Sequence, residues 1–392
     1  MLSLERMNNI KELNEENFTI TVEAGCILNN IQNIADEKNF LFPLSLASEG
    51  SCTIGGNLST NAGGINVLRY GMARDLVLGI EVVLANGKIW NNLTSLRKDN
   101  RGYDLKQLFI GSEGTLGIAT KIAVRITKNP PTVRTLLLSF SSMRAAAEPV
   151  SAVIAAGIVP AAMEVMDQRI TIAVESFVGA GYPTDAAAVL LVEVEGLVDG
   201  VQIDASNIRE IGFKHGATDV RVAETDNERE LLWKGRKTAF GAIAQIAPDY
   251  YLHDTVVPRS ALADVLEKVN EVAERYDLIV MNVFHAGDGN LHPLLLFDAR
   301  EEGMLEKVHA AGAEIMRISL DAGGVLSGEH GIGIEKQAYM DELFTTEDLS
   351  HQNRLRYAFD PQCRSNPGKI LPAGHSCADI QSLKNVPQGV WG

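Results

Sequence analysis

Hydrophobic and polar positions divide the chain into runs of two different periods. Residues 18–24 alternate threonine with Ile20 and Val22, the period-two pattern of a half-buried strand, and Ile27, Ile31 and Ile34 then recur at helical spacing. Residues 76–90 predict a hairpin about Asn86-Gly87, and residues 117–126 alternate again. Between these runs, residues 48–64 are rich in glycine and asparagine and too poor in apolar side chains to be a core strand throughout, so they read as a loop. Asn129-Pro130-Pro131 breaks the pattern and marks a domain boundary. Beyond it the chain predicts strand 134–140, helix 141–157, strands 161–166 and 188–194, a helix to Gly216 and strand 218–222. That is the β-α-β-β-α-β order of a ferredoxin-like unit. After a helix containing Leu231-Leu232-Trp233-Lys234-Gly235-Arg236-Lys237, the order recurs: strand 251–257, a helix to Tyr276, strands 278–284 and 291–297, helix 301–321 and strand 324–327. The pattern predicts an α+β chain whose second domain contains two such units.

Composition narrows the setting. A chain of 392 residues is long for one core, so two domains are the natural division. The net charge of -15, with no basic stripe to neutralise phosphates, argues against a nucleic-acid partner. Cys26, Cys52, Cys363 and Cys377 form no C-x-x-C pair, so no iron–sulfur cluster or thiolate zinc site is expected within the chain. They read as reduced thiols of a cytoplasmic protein, and any iron–sulfur centre belongs to a partner. No apolar run approaches a membrane span, so membrane association would run through partner subunits.

The sharpest chemical signal is His285-Ala286-Gly287-Asp288-Gly289-Asn290-Leu291-His292, joined later in the chain by Gly328-Glu329-His330-Gly331-Ile332-Gly333. A turn centred on Asp288-Gly289 would make His285 and His292 cross-strand partners, with Cβ atoms roughly 5 Å apart on one face. Two imidazoles so placed can share a metal. Glu329 could add a carboxylate ligand while His330, aimed differently, stays free to take a proton. The bland alternative is a hairpin with two incidental histidines, and the glycine-flanked Glu329-His330 pair weighs against it. His253 and Asp254 are candidates to support the site from behind, or equally a buried hydrogen-bonded pair.

Two further segments suit a phosphate-bearing cofactor. Ser51-Cys52-Thr53-Ile54-Gly55-Gly56-Asn57 with Asn61-Ala62-Gly63-Gly64, and Gly111-Ser112-Glu113-Gly114-Thr115-Leu116-Gly117-Ile118, offer backbone amides unobstructed by side chains. Each alone would be an ordinary glycine-rich surface loop. With Pro43 ahead of the first, the Trp233-x-x-Arg236-Lys237 helix, the two histidine motifs and Asn366-Pro367-Gly368-Lys369, the chain resembles the FAD-dependent 2-hydroxyacid dehydrogenases of the vanillyl-alcohol-oxidase fold. From Asp219 to Pro372 it resembles the glycolate oxidase flavin subunit, and from Arg97 to Ile118 the 2-hydroxyglutarate branch.

The resemblance implies the C-terminal half of a vanillyl-alcohol-oxidase-type FAD-binding domain over residues 1–128. A ferredoxin-like-repeat substrate or cap domain with a C-terminal helical segment would follow over 129–375, and a tail over 376–392. It implies FAD contacts from Pro43, Ser51, Thr53, Gly55, Gly56, Asn57, Gly63, Gly64, Glu113, Gly117, Ile118 and Asn366. It implies a divalent metal, Zn2+, on His285, His292 and Glu329, with His330 as general base, Arg236 clamping the substrate carboxylate rather than lying solvated on its helix, and Asn290 donating to substrate, supporting the site from behind or serving only as a turn residue. Such proteins carry a further N-terminal glycine-rich FAD loop, so this chain alone is expected to hold FAD weakly, or to be a truncated non-catalytic paralogue. The implied reaction is oxidation of a D-2-hydroxy acid, with an iron–sulfur electron-transfer subunit as partner. Glycolate or D-lactate is favoured over D-2-hydroxyglutarate because strand 251–257 offers no lysine or arginine for a second carboxylate. A metal hydrolase, which would not need the two loops, is the rival enzyme class.

Overall fold

In the computed structural model, which describes residues 2–372, the alternating runs of the first part pair as an antiparallel sheet. Its strands are β1 (Ile10–Asn14), β2 (Thr19–Glu23), β3 (Val77–Val83), β4 (Ile89–Asn92) and β5 (Ile118–Arg125), in the order β1-β2-β5-β3-β4. Ile20, Val22, Ile80, Ile122 and Val124 face one core, which Leu28 and Ile31 of helix Leu28–Asp36 complete. Burying each such side chain contributes roughly 1.5–3 kcal/mol. The expected 48–64 loop is corrected: Ile54–Thr60 is a helix, started by the Thr53 hydroxyl accepting from the Gly56 amide at 3.3 Å and ended at Asn61 in the left-handed region. Ile54 and Leu58, one turn apart, bury the helix on the sheet, so two apolar residues suffice where the segment as a whole looked too polar.

The second sheet contains β6 (Thr132–Phe140), β7 (Ala162–Asp167), β8 (Ala188–Gly196), β9 (Ala217–Val222), β10 (Asp249–Leu252), β11 (Thr255–Val256), β12 (Ile279–His285), β13 (Asn290–Leu291) and β14 (Pro293–Phe297). Its first four strands lie in the order β9-β6-β8-β7, and β7 pairs antiparallel with β12, joining the later strands to the same sheet. Helices Met143–Ala155, Val198–Lys214, Leu262–Arg275 and Met304–Asp321 pack their apolar stripes on one face, with Val150, Ile208, Val269 and Ile315 among the buried residues. Helices Gln168–Val178 and Asp226–Lys237 cover the other, through Ile170, Val174 and Leu232.

Four further expectations change. Helix Gln168–Val178 was not foreseen, although Asp167 caps it and left-handed Gly179 ends it. The strand expected over 251–257 breaks after Leu252, because the Asp254 side chain turns inward to bind another loop. The strand expected over 324–327 shrinks to one bridge, Val256 to Val325. Cys26 and Cys52 are free thiols, but Cys363 is disulfide-bonded, against the expectation of reduced thiols throughout. The expected tail, 376–392, lies outside the described residues. Among those residues no helix is long and apolar enough to cross a membrane.

Candidate metal centre and flavin cleft

β12 ends at His285, and the chain turns through Gly289, where φ is +83° and a Cβ would come within 2.2 Å of the Val257 carbonyl oxygen. The backbone partner of His285 is Asn290, not His292. The expected direct cross-strand pair is therefore corrected to a diagonal one: His292 lies two residues further along the return strand, on the same face, with the ring centroids 5.2 Å apart.

Glu329 meets both rings. Its Oε1 lies 3.5 Å from His285 Nε2 and 3.3 Å from His292 Nε2. The far nitrogens are held from behind: His285 Nδ1 contacts Glu164 Oε1 at 2.8 Å, and His292 Nδ1 contacts the His253 carbonyl oxygen at 3.2 Å. Carboxylate and carbonyl oxygens only accept, so each Nδ1 donates its proton backwards and each Nε2 is the ring nitrogen turned towards Glu329. The Glu329 Oε2 atom is buried with no hydrogen-bond partner. Two imidazoles and a carboxylate whose ligand atoms all lie within 4.8 Å of one another make a donor set suited to a divalent cation of the zinc type.

Electrostatics point the same way. Burial opposes the charge on His285, but the Glu164 and Glu329 carboxylates outweigh it and hold the imidazole pKa well above its ordinary value. Burial likewise opposes the charge on Glu329, yet His285 and His292 keep its pKa well below the usual carboxylate range. The protons this cluster holds occupy the place a cation would take.

Asp254, fully buried, organises the loop that carries Glu329. It accepts from the amides of Gly328 and His330 at 3.0 Å, the Ser327 hydroxyl at 2.6 Å and Lys336 Nζ at 3.1 Å. Burial would raise its pKa, but Lys336 and the neighbouring imidazoles hold it below the usual range. His330 stacks on His292, centroids 5.3 Å apart, with its side chain 44% exposed. Its Nδ1 is 3.9 Å from Asp254 and its Nε2 3.8 Å from Glu329, leaving the ring free to take a proton. Burial, more than any charge, sets its pKa below the ordinary imidazole value.

Arg236 and Asn290 both have partners within the protein. Arg236 is 2% exposed, and both its Nε (2.8 Å) and Nη2 (2.6 Å) reach Glu164 Oε2. The face expected to clamp a substrate carboxylate is thus taken by a carboxylate of the protein. Asn290 directs its side-chain amide to Asp254 Oδ1 at 2.9 Å and the Thr255 carbonyl at 3.1 Å, so both hydrogens are committed to structure rather than to substrate.

A cleft of about 840 Å³ opens beside the first sheet, and Thr53, Gly55, Gly56, Gly117, Ile118 and Asn366 help line it. A Cβ on Gly56 would meet only the Thr53 hydroxyl, at 3.3 Å, so a ligand can approach the main chain there, as FAD requires. The other expected FAD contacts do not line this cleft. Pro43 is buried and its carbonyl accepts from Asn66 at 3.2 Å. Exposed Ser51 donates to the Ser48 carbonyl at 3.2 Å, Asn57 is buried beside Cys52, and Gly64 packs on the Ser45 carbonyl. Gly63 abuts Glu329 instead: its Cβ would stand 3.0 Å from Glu329 Oε2. Glu113 is a clasp, its carboxylate accepting from the amides of Ile332 (2.7 Å) and Gly333 (2.8 Å) and its carbonyl from Asn366 (2.7 Å). The cleft wall and the His330 loop are thereby tied together.

Residues 129–370 match the family of FAD linked oxidases, C-terminal domain, and residues 1–92 match the FAD binding domain family. The chain belongs to the FAD-linked oxidases. The glycolate oxidase subunit GlcD of Escherichia coli (strain K12) is 41% identical over 383 residues, covering 98% of this chain and 77% of that protein. The D-lactate dehydrogenase of Anaerostipes hadrus is 32% identical over 378 residues, 94% of this chain and 79% of that one. Among solved structures, p-cresol methylhydroxylase with substrate bound superposes with a TM-score of 0.77 at 16% identity, over 94% of this chain and 79% of that one. That likeness shows the fold to be of the vanillyl-alcohol-oxidase type.

In this FAD-linked oxidase, sequence reasoning missed Glu164, Lys336 and the clasp role of Glu113, and left Asp254 undecided. Glu164 had a signal: it is the one charged residue in the Ala162–Met166 part of a strand otherwise apolar there, and a charge in a core strand needs a partner. Lys336 and Glu113 had none, because their partners lie far off in sequence.

Proposed function

We propose that this chain oxidises a small D-2-hydroxy monocarboxylate, glycolate or D-lactate, to the 2-oxo acid. The observation that carries the proposal is the convergence of His285, His292, Glu329 and His330 against Gly63, within the segment that also supplies the FAD cleft. FAD bound in the cleft supplies the hydride acceptor. Nε2 of His285 and of His292 and the Glu329 carboxylate would hold a divalent cation, Zn2+ as first choice, which would supply Lewis-acid polarisation of the substrate hydroxyl oxygen. His330 Nε2 takes the hydroxyl proton as the Cα hydrogen departs with its electron pair, and its lowered pKa leaves it unprotonated near neutral pH. Asp254 keeps the His330 loop in place.

Relatives named for glycolate and D-lactate chemistry support the substrate class. On this reading residues 1–128 carry the cofactor, and 129–375 form a cap of two ferredoxin-like units. Electrons pass on to an iron–sulfur partner subunit of a cytoplasmic or membrane-attached complex, in keeping with GlcD being named a glycolate oxidase subunit.

The test is anaerobic mixing of the FAD-supplemented protein with each acid while the flavin bands are followed. Glycolate or D-lactate should bleach them, and prior chelation should slow the bleaching at least tenfold. Bleaching by D-2-hydroxyglutarate alone would overturn the substrate class, no bleaching by any acid would overturn the reaction, and indifference to chelation would remove the cation from it.

A further inference from the structure

Glu164 is 1% exposed, and its two oxygens serve different groups. Oε1 meets His285 Nδ1 at 2.8 Å, while Oε2 meets Arg236 Nε at 2.8 Å and Nη2 at 2.6 Å. The arrangement is built into the backbone at two points. Glu164 and His285 are direct partners across the β7–β12 pairing, so the sheet register itself brings carboxylate to imidazole. Arg236 arrives from helix Asp226–Lys237, which lies close to its neighbours at Gly235: a Cβ there would stand 2.6 Å from Tyr182 and 2.9 Å from Val174. Taking a carboxylate this far from water costs several kcal/mol, and apolar side chains of similar size often replace a buried ion pair at no loss of stability. An ion pair kept only for stability has no need to spend its second oxygen on a histidine.

We propose that Glu164 is a positioning residue that fixes His285 as a metal ligand, with Arg236 as the counter-charge paired with its other oxygen inside the sheet. The inference rests on the reading of His285, His292 and Glu329 as a cation site. An anionic acceptor on Nδ1 holds the proton there, locks the ring plane and makes Nε2 a stronger donor to the cation. Arg236 in turn needs Glu164, since a guanidinium so buried would otherwise be unpaired. Neither residue has to touch substrate for this.

The experiment titrates the full chain with Zn2+ in competition with a chromophoric chelator, and separately with Co2+ to read its visible absorption. The wild type should take up one equivalent. E164Q keeps the shape but loses the charge, and should weaken Zn2+ binding about 10–100-fold, the usual cost of removing a partner behind a ligating histidine. Because E164Q strands the Arg236 charge, the double variant E164Q/R236M is measured beside it. It has no buried charge left over, should melt close to the wild type without metal, and should still bind Zn2+ at least tenfold more weakly with an altered Co2+ spectrum. E164D, which restores the charge, should recover part of the affinity. Wild-type Zn2+ affinity and Co2+ spectrum in E164Q/R236M, with only the melting temperature of E164Q lowered, would make Glu164 a structural ion-pair partner and overturn the proposal while leaving the cation site intact. No uptake by the wild type would overturn the cation site itself, whatever Glu164 does.

Discussion

At the His285/His292/Glu329 centre the working atoms belong to buried side chains held by other side chains, whereas the flavin cleft is walled by glycines, a helix start and a strand start. The centre is a chain of charges, from Arg236 through Glu164 and His285 to Glu329, with Lys336 and Asp254 alongside. Removing any link leaves a buried group unpaired. If FAD occupies the cleft as proposed, a substitution there does harm by adding atoms where the cofactor would approach. One region is therefore broken by deletion and the other by insertion, and Gly63 and Glu113 are where the two meet.

The largest expected effect separates proton transfer from cation binding within the centre. His330→Ala should slow flavin reduction by roughly 10²–10⁴, the range for a positioned general base, while bound cation and FAD stay unchanged. Stopped-flow absorbance and metal analysis on the same preparation read both quantities. Loss of the cation from this variant would make His330 a ligand and redraw the centre.

A smaller effect is expected for insertion at the cleft. Gly56→Val places a branched side chain where only the Thr53 hydroxyl now stands near, so the FAD dissociation constant should rise about tenfold, or 1.4 kcal/mol, with Zn2+ affinity unaltered. Fluorescence titration with FAD measures this. An unchanged constant would place the cofactor away from Gly56.

The smallest effect tests the border. Gly63→Ala brings a methyl to 3.0 Å from Glu329 Oε2, so it should weaken Zn2+ binding by about threefold, short of the tenfold that 1.4 kcal/mol gives, with little change in FAD affinity. The reverse outcome, FAD weakened and Zn2+ untouched, would assign Gly63 to the cleft alone.

Much of the architecture was legible along the chain. The hairpin about Asn86-Gly87 pairs as its turn dipeptide suggests, and the strands expected over 134–140, 188–194 and 218–222 lie within Thr132–Phe140, Ala188–Gly196 and Ala217–Val222. The misses have particular causes. Helix Gln168–Val178 carried its signals, an Asp cap, Ile170 and Val174 one turn apart and a closing glycine, but the stretch between strands 161–166 and 188–194 was assigned no element. The break at Asp254 could not be seen, because its cause is a set of amides more than seventy positions away. At the site, the clustering of the two histidine motifs was legible from residue types, while the diagonal register of His285 and His292 was not.

What the sequence determined by itself is the period of each segment and the chemistry available: two imidazoles flanking an Asp-Gly turn, a Glu-His pair between glycines, and two stretches of nearly bare backbone. Periodicity and turn chemistry are local, so neighbours in the chain suffice to specify them. Which partner each group meets was decided by the tertiary structure alone. Arg236 finds Glu164 across 72 positions, and Glu113 finds the Ile332 amide across 219. Those meetings depend on strand register and on how closely a helix lies against the sheet, which arise from packing over the whole core and leave no mark in the local pattern.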